Sequence, residues 1–234
     1  YAASQLTAIE VNGTYYGAQK PASFRRWHDE TPQGFVFTLK GPRFATNRRV
    51  LAEAGDSIRR FVDSGITELK DKLGPINWQF MPTKTFDAAD FAAFLDLLPD
   101  RQDGRRLRHA VEVRHDSFRD KAFVEMCRAR KVAVVFAADS AFPQIADVTA
   151  DFVYVRIMGT QEKEKLGYPK SALDRWAARA RDWRNGASPD LPLLADAAPP
   201  TATKTKRDVF LFVISGAKAR NPAAAQAIIA ALEP

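Results

Sequence analysis

The sequence predicts an α/β fold of the (β/α)8, TIM-barrel-like class, and three observations predict it. Short runs of Val, Ile, Phe and Ala recur along the chain, most of them near-continuous, as in a parallel sheet covered on both faces. Stretches with helical spacing of apolar residues separate these runs. Most runs end in one or two polar residues, where a barrel gathers its chemistry. A doubly wound open sheet shares the first two features, but no G-x-G-x-x-G follows any strand, so its dinucleotide-binding form has no support. Seven strands are visible where a barrel needs eight. The chain opens on what reads as the end of a helix. The expectation is therefore a single domain over residues 1–234 whose first βα unit is missing from this chain.

Leu6 to Val11 is a β-rich segment running into Asn12-Gly13, with Thr14-Tyr15-Tyr16 beyond it. Pro21 starts a short helix carrying Phe24 and Trp27, which ends near Thr31-Pro32 because the residue before proline avoids the α region. Phe35 to Lys40 is the second strand, stopped by Gly41-Pro42. From Asn47 a long helical pattern puts Leu51, Ala54, Ile58, Phe61, Val62, Leu69 and Leu73 on one face; Gly65 interrupts it and Gly74-Pro75 ends it. Ile76 to Phe80 is the third strand, and a helix with Phe91, Phe94, Leu95 and Leu98 follows. His109 to His115 is the fourth strand, apolar first and charged at its end. A helix from Lys121 to Arg130 is expected to bury Phe123, Met126 and Cys127.

Val132 to Ala138 is the fifth strand, ending at Asp139-Ser140, and Phe152 to Ile157 is the sixth, closed by Gly159. The connection between them is too short for a long crossover helix. Ser171 to Trp183 carries Leu173, Trp176, Ala177, Ala180 and Trp183 at helical spacing. Arg184 to Arg207, with Pro189, Pro192, Pro199 and Pro200 among small residues, reads as an irregular excursion. Val209 to Ile214 is the seventh strand, and Pro222 to Leu232 a closing helix.

Composition bounds the function classes. With 46% hydrophobic and 27% charged residues in 234, the chain has a globular balance and ample material for a core. Lys and Arg number 35 against 28 Asp and Glu, a net charge of +7 that permits binding to phosphates or nucleic acid. The arginine pairs at 25–26, 48–49, 59–60 and 105–106 are scattered, so solvated surface charge is the plainer reading. No apolar run is long enough for a membrane span, and the first residues carry no basic or apolar leader. The single Cys127 has no internal disulfide partner and falls on a helical apolar stripe, as a buried structural thiol does. These features lead to the expectation of a cytoplasmic protein with no membrane partner; oligomeric state is open.

The strand ends supply the candidate site: Glu10 and Asn12, Lys40, Gln79, Glu112 with Arg114 and His115, Asp139, and Arg156. Alternation sends Glu10 and Asn12 to one face of their strand, and Glu112 and Arg114 likewise. Three carboxylates and three cations around one cavity are raw material for acid–base chemistry. The candidate catalytic residues are Glu112, Glu10, Lys40 and Asp139, and the candidate substrate binders are Asn12, Gln79, Arg114, His115, Arg156 and Tyr15. Each has a plainer alternative. Glu112 with Arg114 fits a buried ion pair, Lys40 a salt-bridge partner, Gln79 a structural amide, His115 a strand-end hydrogen bonder, and Tyr15 packing under a loop. His28 and His109 read as structural. No H-x-x-x-H, C-x-x-C or EF-hand spacing is present, so no metal site and no cofactor is predicted, although Glu10, Glu112 and Asp139 are of the type that holds Mg²⁺ or Mn²⁺. No G-x-S-x-G elbow supports a serine nucleophile.

Five segments resemble a known family. Glu10-Val11-Asn12-Gly13-Thr14-Tyr15-Tyr16 is similar to its "VEINSTFY", Leu39-Lys40-Gly41-Pro42-Arg43 to "KAPR", and Leu73 to Phe80 to "LGPVLFQLPP". Val111-Glu112-Val113-Arg114-His115 is similar to "VEFRH", and Asp151 to Arg156 to "DFVYVRLHG". This is the YecE-like family, catalogued as a domain of unknown function. The resemblance covers essentially the whole chain and implies a TIM-barrel fold with a polar cleft at the strand ends, and no reaction. Three departures stand out: the family's opening "TSGW" strand is missing, Met158 stands in place of histidine, and Val213-Ile214-Ser215-Gly216 stands in place of "FNND". The functional expectation is an enzyme, a hydrolase or lyase, acting on an anionic, phosphorylated or sugar-like small molecule. Arg114, Arg156 and Lys40 would hold its charge. The rival is a binding module for nucleic acid or a phosphorylated ligand that does no catalysis.

Overall fold

Parallel strands and helices alternate in the computed structural model, which describes residues 1–195 and 206–233. The chain divides into two compact units, 1–118 and 119 onward. Parallel strand pairs run within each unit.

The first unit holds β1 (Ala8–Val11), the short helix α1 (Gly13–Tyr16), α2 (Pro21–Asp29), β2 (Val36–Lys40), the short helix α3 (Arg43–Thr46), α4 (Gly55–Val62), β3 (Leu73–Gln79), α5 (Ala88–Asp96), the two-residue strands β4 (Arg101–Gln102) and β5 (Arg105–Arg106), and β6 (His109–Glu112). β1, β2, β3 and β6 pair in parallel in that order, with Glu10 beside Thr38, Lys40 beside Asn77, and Gln79 beside Glu112. The long helical pattern expected from Asn47 is broken. Leu51–Glu53 and Ile66–Lys72 are 3-10 turns around α4, and Gly65 sits in the left-handed region at φ 94°. A β-carbon there would lie 2.8 Å from Pro21 side-chain atoms, so glycine is required on both counts. Leu73 joins β3 rather than a helix. β4 and β5 form an antiparallel hairpin around Asp103-Gly104, both at positive φ, a turn that Asp-Gly announces.

Aromatic side chains fill the helix-facing side of this sheet. Trp78 packs edge-on against Phe61 and Phe94, and Phe80 against Phe91 and Phe94. Trp78 Nε1 donates to His109 Nδ1 at 3.1 Å, and His109 Nε2 lies 2.8 Å from the Pro99 carbonyl. His109 is structural, as expected; burial pushes its imidazole down to about 4.

The second unit holds α6 (Lys121–Ala129), β7 (Ala133–Ala138), β8 (Phe152–Ile157), α7 (Lys170–Arg184), β9 (Asp208–Val213) and α8 (Asn221–Leu232). β7, β8 and β9 pair in parallel. Phe136, Val153, Val155 and Ile157 on one face pack against Leu173, Trp176, Ala177 and Trp183 of α7 and Ala224 and Ile228 of α8, the stripe expected for α7. On α6, Phe123, Val124 and Cys127 are buried while Met126 is only half-buried. Burial pushes the Cys127 thiol up, consistent with a structural role. The irregular excursion is followed as far as Ala195, where Asp147 accepts the Leu194 and Ala195 N–H groups at 2.8 and 3.1 Å. Residues 196–205 of it lie outside the described residues. Among the described residues no helix is long and apolar enough to cross a membrane.

Candidate functional site

β2 and β3 alternate rather than run apolar. Leu39, Ile76 and Trp78 face the helices, while Thr38, Lys40, Asn77 and Gln79 share the opposite face. Register adds Glu10 from β1 and Glu112 from β6 to that polar face. Thr38, Lys40, Asn77, Gln79 and Glu112 are all buried, and Glu10 is half-buried.

Asn77 organises the carboxylates. Its Nδ2 donates to Glu10 Oε2 at 3.2 Å and to Glu112 Oε2 at 3.3 Å, so these two oxygens stand at most 6.5 Å apart. The amide orientation follows from its neighbours, since Oδ1 in that place would oppose two carboxylates. Asn77 Oδ1 is buried with no hydrogen-bond partner among the described residues. Arg114 Nε and Nη2 donate to Glu112 Oε1 at 2.9 and 2.8 Å. Glu112 is wholly buried, and a carboxylate out of water needs such a charged, hydrogen-bonded partner.

Lys40 forms the neighbouring arm. Its Nζ donates to Gln79 Oε1 at 2.8 Å and lies 4.7 Å from the Tyr15 ring centroid. The Thr14 hydroxyl accepts from the Lys40 N–H at 3.1 Å and donates to the Lys40 carbonyl at 2.8 Å, tying the loop after β1 to the end of β2. Tyr15 thus belongs to the cluster rather than merely packing under a loop.

Other expected residues lie elsewhere. The exposed Asn12 side chain makes no hydrogen bond among the described residues. His115 Nδ1 lies 2.8 Å from Ser117 Oγ and accepts from the Ser117 N–H at 3.1 Å, which makes it the cap of a 3-10 turn. Asp139 belongs to the second unit and sits at φ 54° after β7. Its Oδ2 accepts from Tyr168 Oη at 3.0 Å, and Tyr168 Oη accepts from the Gly159 N–H at 2.7 Å. Burial, then the nearby Asp139 charge, pushes the Tyr168 phenol above its ordinary range. A β-carbon at Gly159 would come within 2.8 Å of Asp139 Cβ, so this corner closes only with glycine. Arg156 is buried at the end of β8, on the face of Tyr154 and beside Ala137 and Phe212.

Asn77 is the residue the sequence reading passed over. Its signal was present: Ile76-Asn77-Trp78-Gln79 alternates, so Asn77 shares the face of Gln79. Among the described residues, no group of three or more His, Cys, Asp or Glu is placed to hold a metal ion.

A model of the family described as "Protein of unknown function DUF72" matches residues 1–234. The UPF0759 protein YecE of Escherichia coli K12 is 29% identical over 119 residues, 50% of this chain and 41% of that protein. YecE of Escherichia coli O157:H7 matches to the same extent, so the aligned stretch spans about two-fifths of the length of these relatives. Among solved structures, a DUF72 family protein of Enterococcus faecalis V583 superposes with a TM-score of 0.71 at 17% identity, covering 98% of this chain and 91% of that one. A DUF72 family protein of Thermotoga maritima MSB8 gives 0.61 at 20% identity, covering 97% and 82%. The fold is α/β and TIM-barrel-like, with seven parallel strands among the described residues.

Proposed function

This chain belongs to the DUF72 family, and we propose that its first unit carries an acid–base site for a small anionic substrate, phosphorylated or sugar-like. The observation that carries the reading is the single Asn77 amide held between two carboxylates. Glu10, half-buried, is the proton-transferring group. Glu112, wholly buried against Arg114, is the fixed anion that positions the guanidinium for the substrate's charge. Lys40, steadied by Gln79 and Tyr15, supplies the second cationic contact.

The test is a turnover screen of sugar phosphates, phosphoesters and aryl glycosides with the parent protein, Glu10→Gln and Glu112→Gln. A hit whose kcat falls about 10²- to 10⁴-fold in Glu10→Gln is the expected outcome. Turnover that both variants retain in full would refute the assignment. A parent protein that binds but turns over none of these classes leaves the reading of a phospho-ligand binding module.

A further inference from the structure

Outward from Lys40, the first unit presents a second chain of contacts in which cations and aromatic rings alternate. Lys40 Nζ lies 4.7 Å from the Tyr15 ring, and Tyr15 meets Tyr16 edge-to-face at 5.1 Å. The Arg43 guanidinium lies 6.0 Å from the Tyr16 ring and 5.3 Å from the Phe44 ring. The series begins at a buried lysine and ends at exposed rings, for Tyr16 and Phe44 each keep 59% of their surface in water. Large aromatic side chains left this exposed, side by side around one guanidinium, have a use outside the core. The groups beside them are anchored. Tyr15 Oη donates to Asn47 Oδ1 at 3.3 Å, and Arg48 Nε donates to the Phe44 carbonyl at 2.9 Å.

The charge of these loops is one-sided. Between Glu10 and Asp29 there is no carboxylate, and none between Lys40 and Glu53, whereas Lys20, Arg43, Arg48 and Arg49 lie in those stretches. The surface therefore favours an anion, and its alternation favours an anion that repeats. Two ring–cation pairs in series, Tyr16 with Arg43 and Tyr15 with Lys40, match a ligand whose flat rings and negative charges follow one another at short spacing. A single strand of nucleic acid has that pattern: bases stack on aromatic faces while phosphates meet cations. A sugar phosphate lacks the flat ring, and a duplex hides its ring faces.

We propose that the Tyr15-Tyr16 and Arg43-Phe44 loops bind the end of a single-stranded oligonucleotide, leading its terminal phosphate toward Lys40. This names the substrate class of the site proposed above and rests on that reading. Phe44 and Tyr16 take the bases, Arg43 takes the phosphate between them, and Arg48 and Arg49 add charge along the strand.

The test is fluorescence anisotropy with labelled oligothymidylates and oligouridylates of two, four and eight nucleotides, over a series of salt concentrations. Affinity should rise from the dinucleotide to the tetranucleotide and fall with salt, with a log–log slope of about −0.7 per phosphate engaged. Tyr16→Ala and Phe44→Ala should each weaken binding about 5- to 150-fold with the salt slope kept. Arg43→Ala should make the slope shallower by about 0.7. These side chains are exposed, so circular dichroism should report an unchanged fold in all three variants. Equal competition by a base-free polyphosphate, tighter binding of the duplex, or undiminished affinity in Tyr16→Ala and Phe44→Ala would each overturn the proposal. Oligonucleotide binding lost in Phe44→Ala, from a parent protein that turns nothing over, removes the catalytic reading and leaves this surface standing. Small-phosphoester turnover that ignores Tyr16→Ala and Phe44→Ala, with no oligonucleotide bound, removes this surface and leaves the catalytic reading.

Discussion

His109 makes the stability of this protein depend on pH in a calculable way. Its two ring nitrogens have partners of opposite kind. Trp78 Nε1–H can only donate and the Pro99 carbonyl can only accept, so Nδ1 is the bare nitrogen and Nε2 carries the hydrogen. Protonating Nδ1 would set one N–H against another inside an aromatic cluster. Burial accordingly takes the imidazole from 6.5 down to about 4. Because the folded value is the lower one, the unfolded chain binds the proton first, and stability present above pH 6.5 is lost as the pH falls toward 4. The loss is about 2 kcal/mol at pH 5 and about 3 kcal/mol at pH 4, a slope of about 1 kcal/mol per pH unit between. Urea unfolding of the parent protein and of His109→Gln at several pH values isolates this term from the carboxylates, because glutamine offers an acceptor and a donor without titrating. The parent should lose stability relative to the variant as the pH drops from 7 to 5. Parallel curves over that range would refute the assignment of a neutral, buried His109.

Two further substitutions probe the frame around the site. A β-carbon at Gly41 would stand 2.2 to 2.8 Å from three Trp78 ring carbons, so Gly41→Ala should cost about 1–3 kcal/mol in urea unfolding by forcing the strand end off the indole; an unchanged midpoint would mean that the two do not press on each other. Arg114→Ala strips the guanidinium from a carboxylate with no exposure to water, and the loss should reach about 3–5 kcal/mol. The double variant Arg114→Ala with Glu112→Gln should recover a large part of it, and full additivity of the two changes would show that the ion pair is not coupled.

β7 and β8 were legible because parallel strands buried on both sides write themselves as largely apolar runs, and the observed β8 coincides with the expected Phe152 to Ile157. The segment from Asn47 to Leu73 was not. Its apolar residues keep helical spacing across two 3-10 turns, so periodicity reads a helix on both sides of the interruption expected at Gly65, where the structure has short turns and a second break at the left-handed Lys70. The charged strand ends were legible one by one, and the Glu112–Arg114 pair was legible from alternation; the partners of Lys40, Glu10 and Asp139 were not. Glu112 reads in sequence as a proton carrier or as half of a buried ion pair, and the fold buries it against Arg114, while Asp139 serves the Tyr168 corner. Asn77 carried no charge to draw notice, and its weight comes only from register, which places it between Lys40 of β2 and Ala110 of β6.

In each unit one face of the strands turns away from the helices, and the two units fill that face differently. In the second, Phe152, Tyr154, Phe210 and Phe212 pack edge-on or tilted against one another along that face, with ring centroids 5.3 to 6.4 Å apart, and Arg156 follows near the strand end. Apolar layers of this kind tolerate changes that conserve volume. In the first unit the corresponding positions are Thr38, Lys40, Asn77, Gln79, Glu10 and Glu112, where each buried polar atom demands a partner in the right direction. Such a layer costs stability relative to hydrocarbon, and it yields geometry: Glu112 cannot move without breaking with Arg114, nor Glu10 without releasing Asn77. The stiffness argues that this face, rather than the aromatic one, is the part shaped for a ligand, and under the proposed function it would hold Glu10 and Glu112 in place before any substrate arrives.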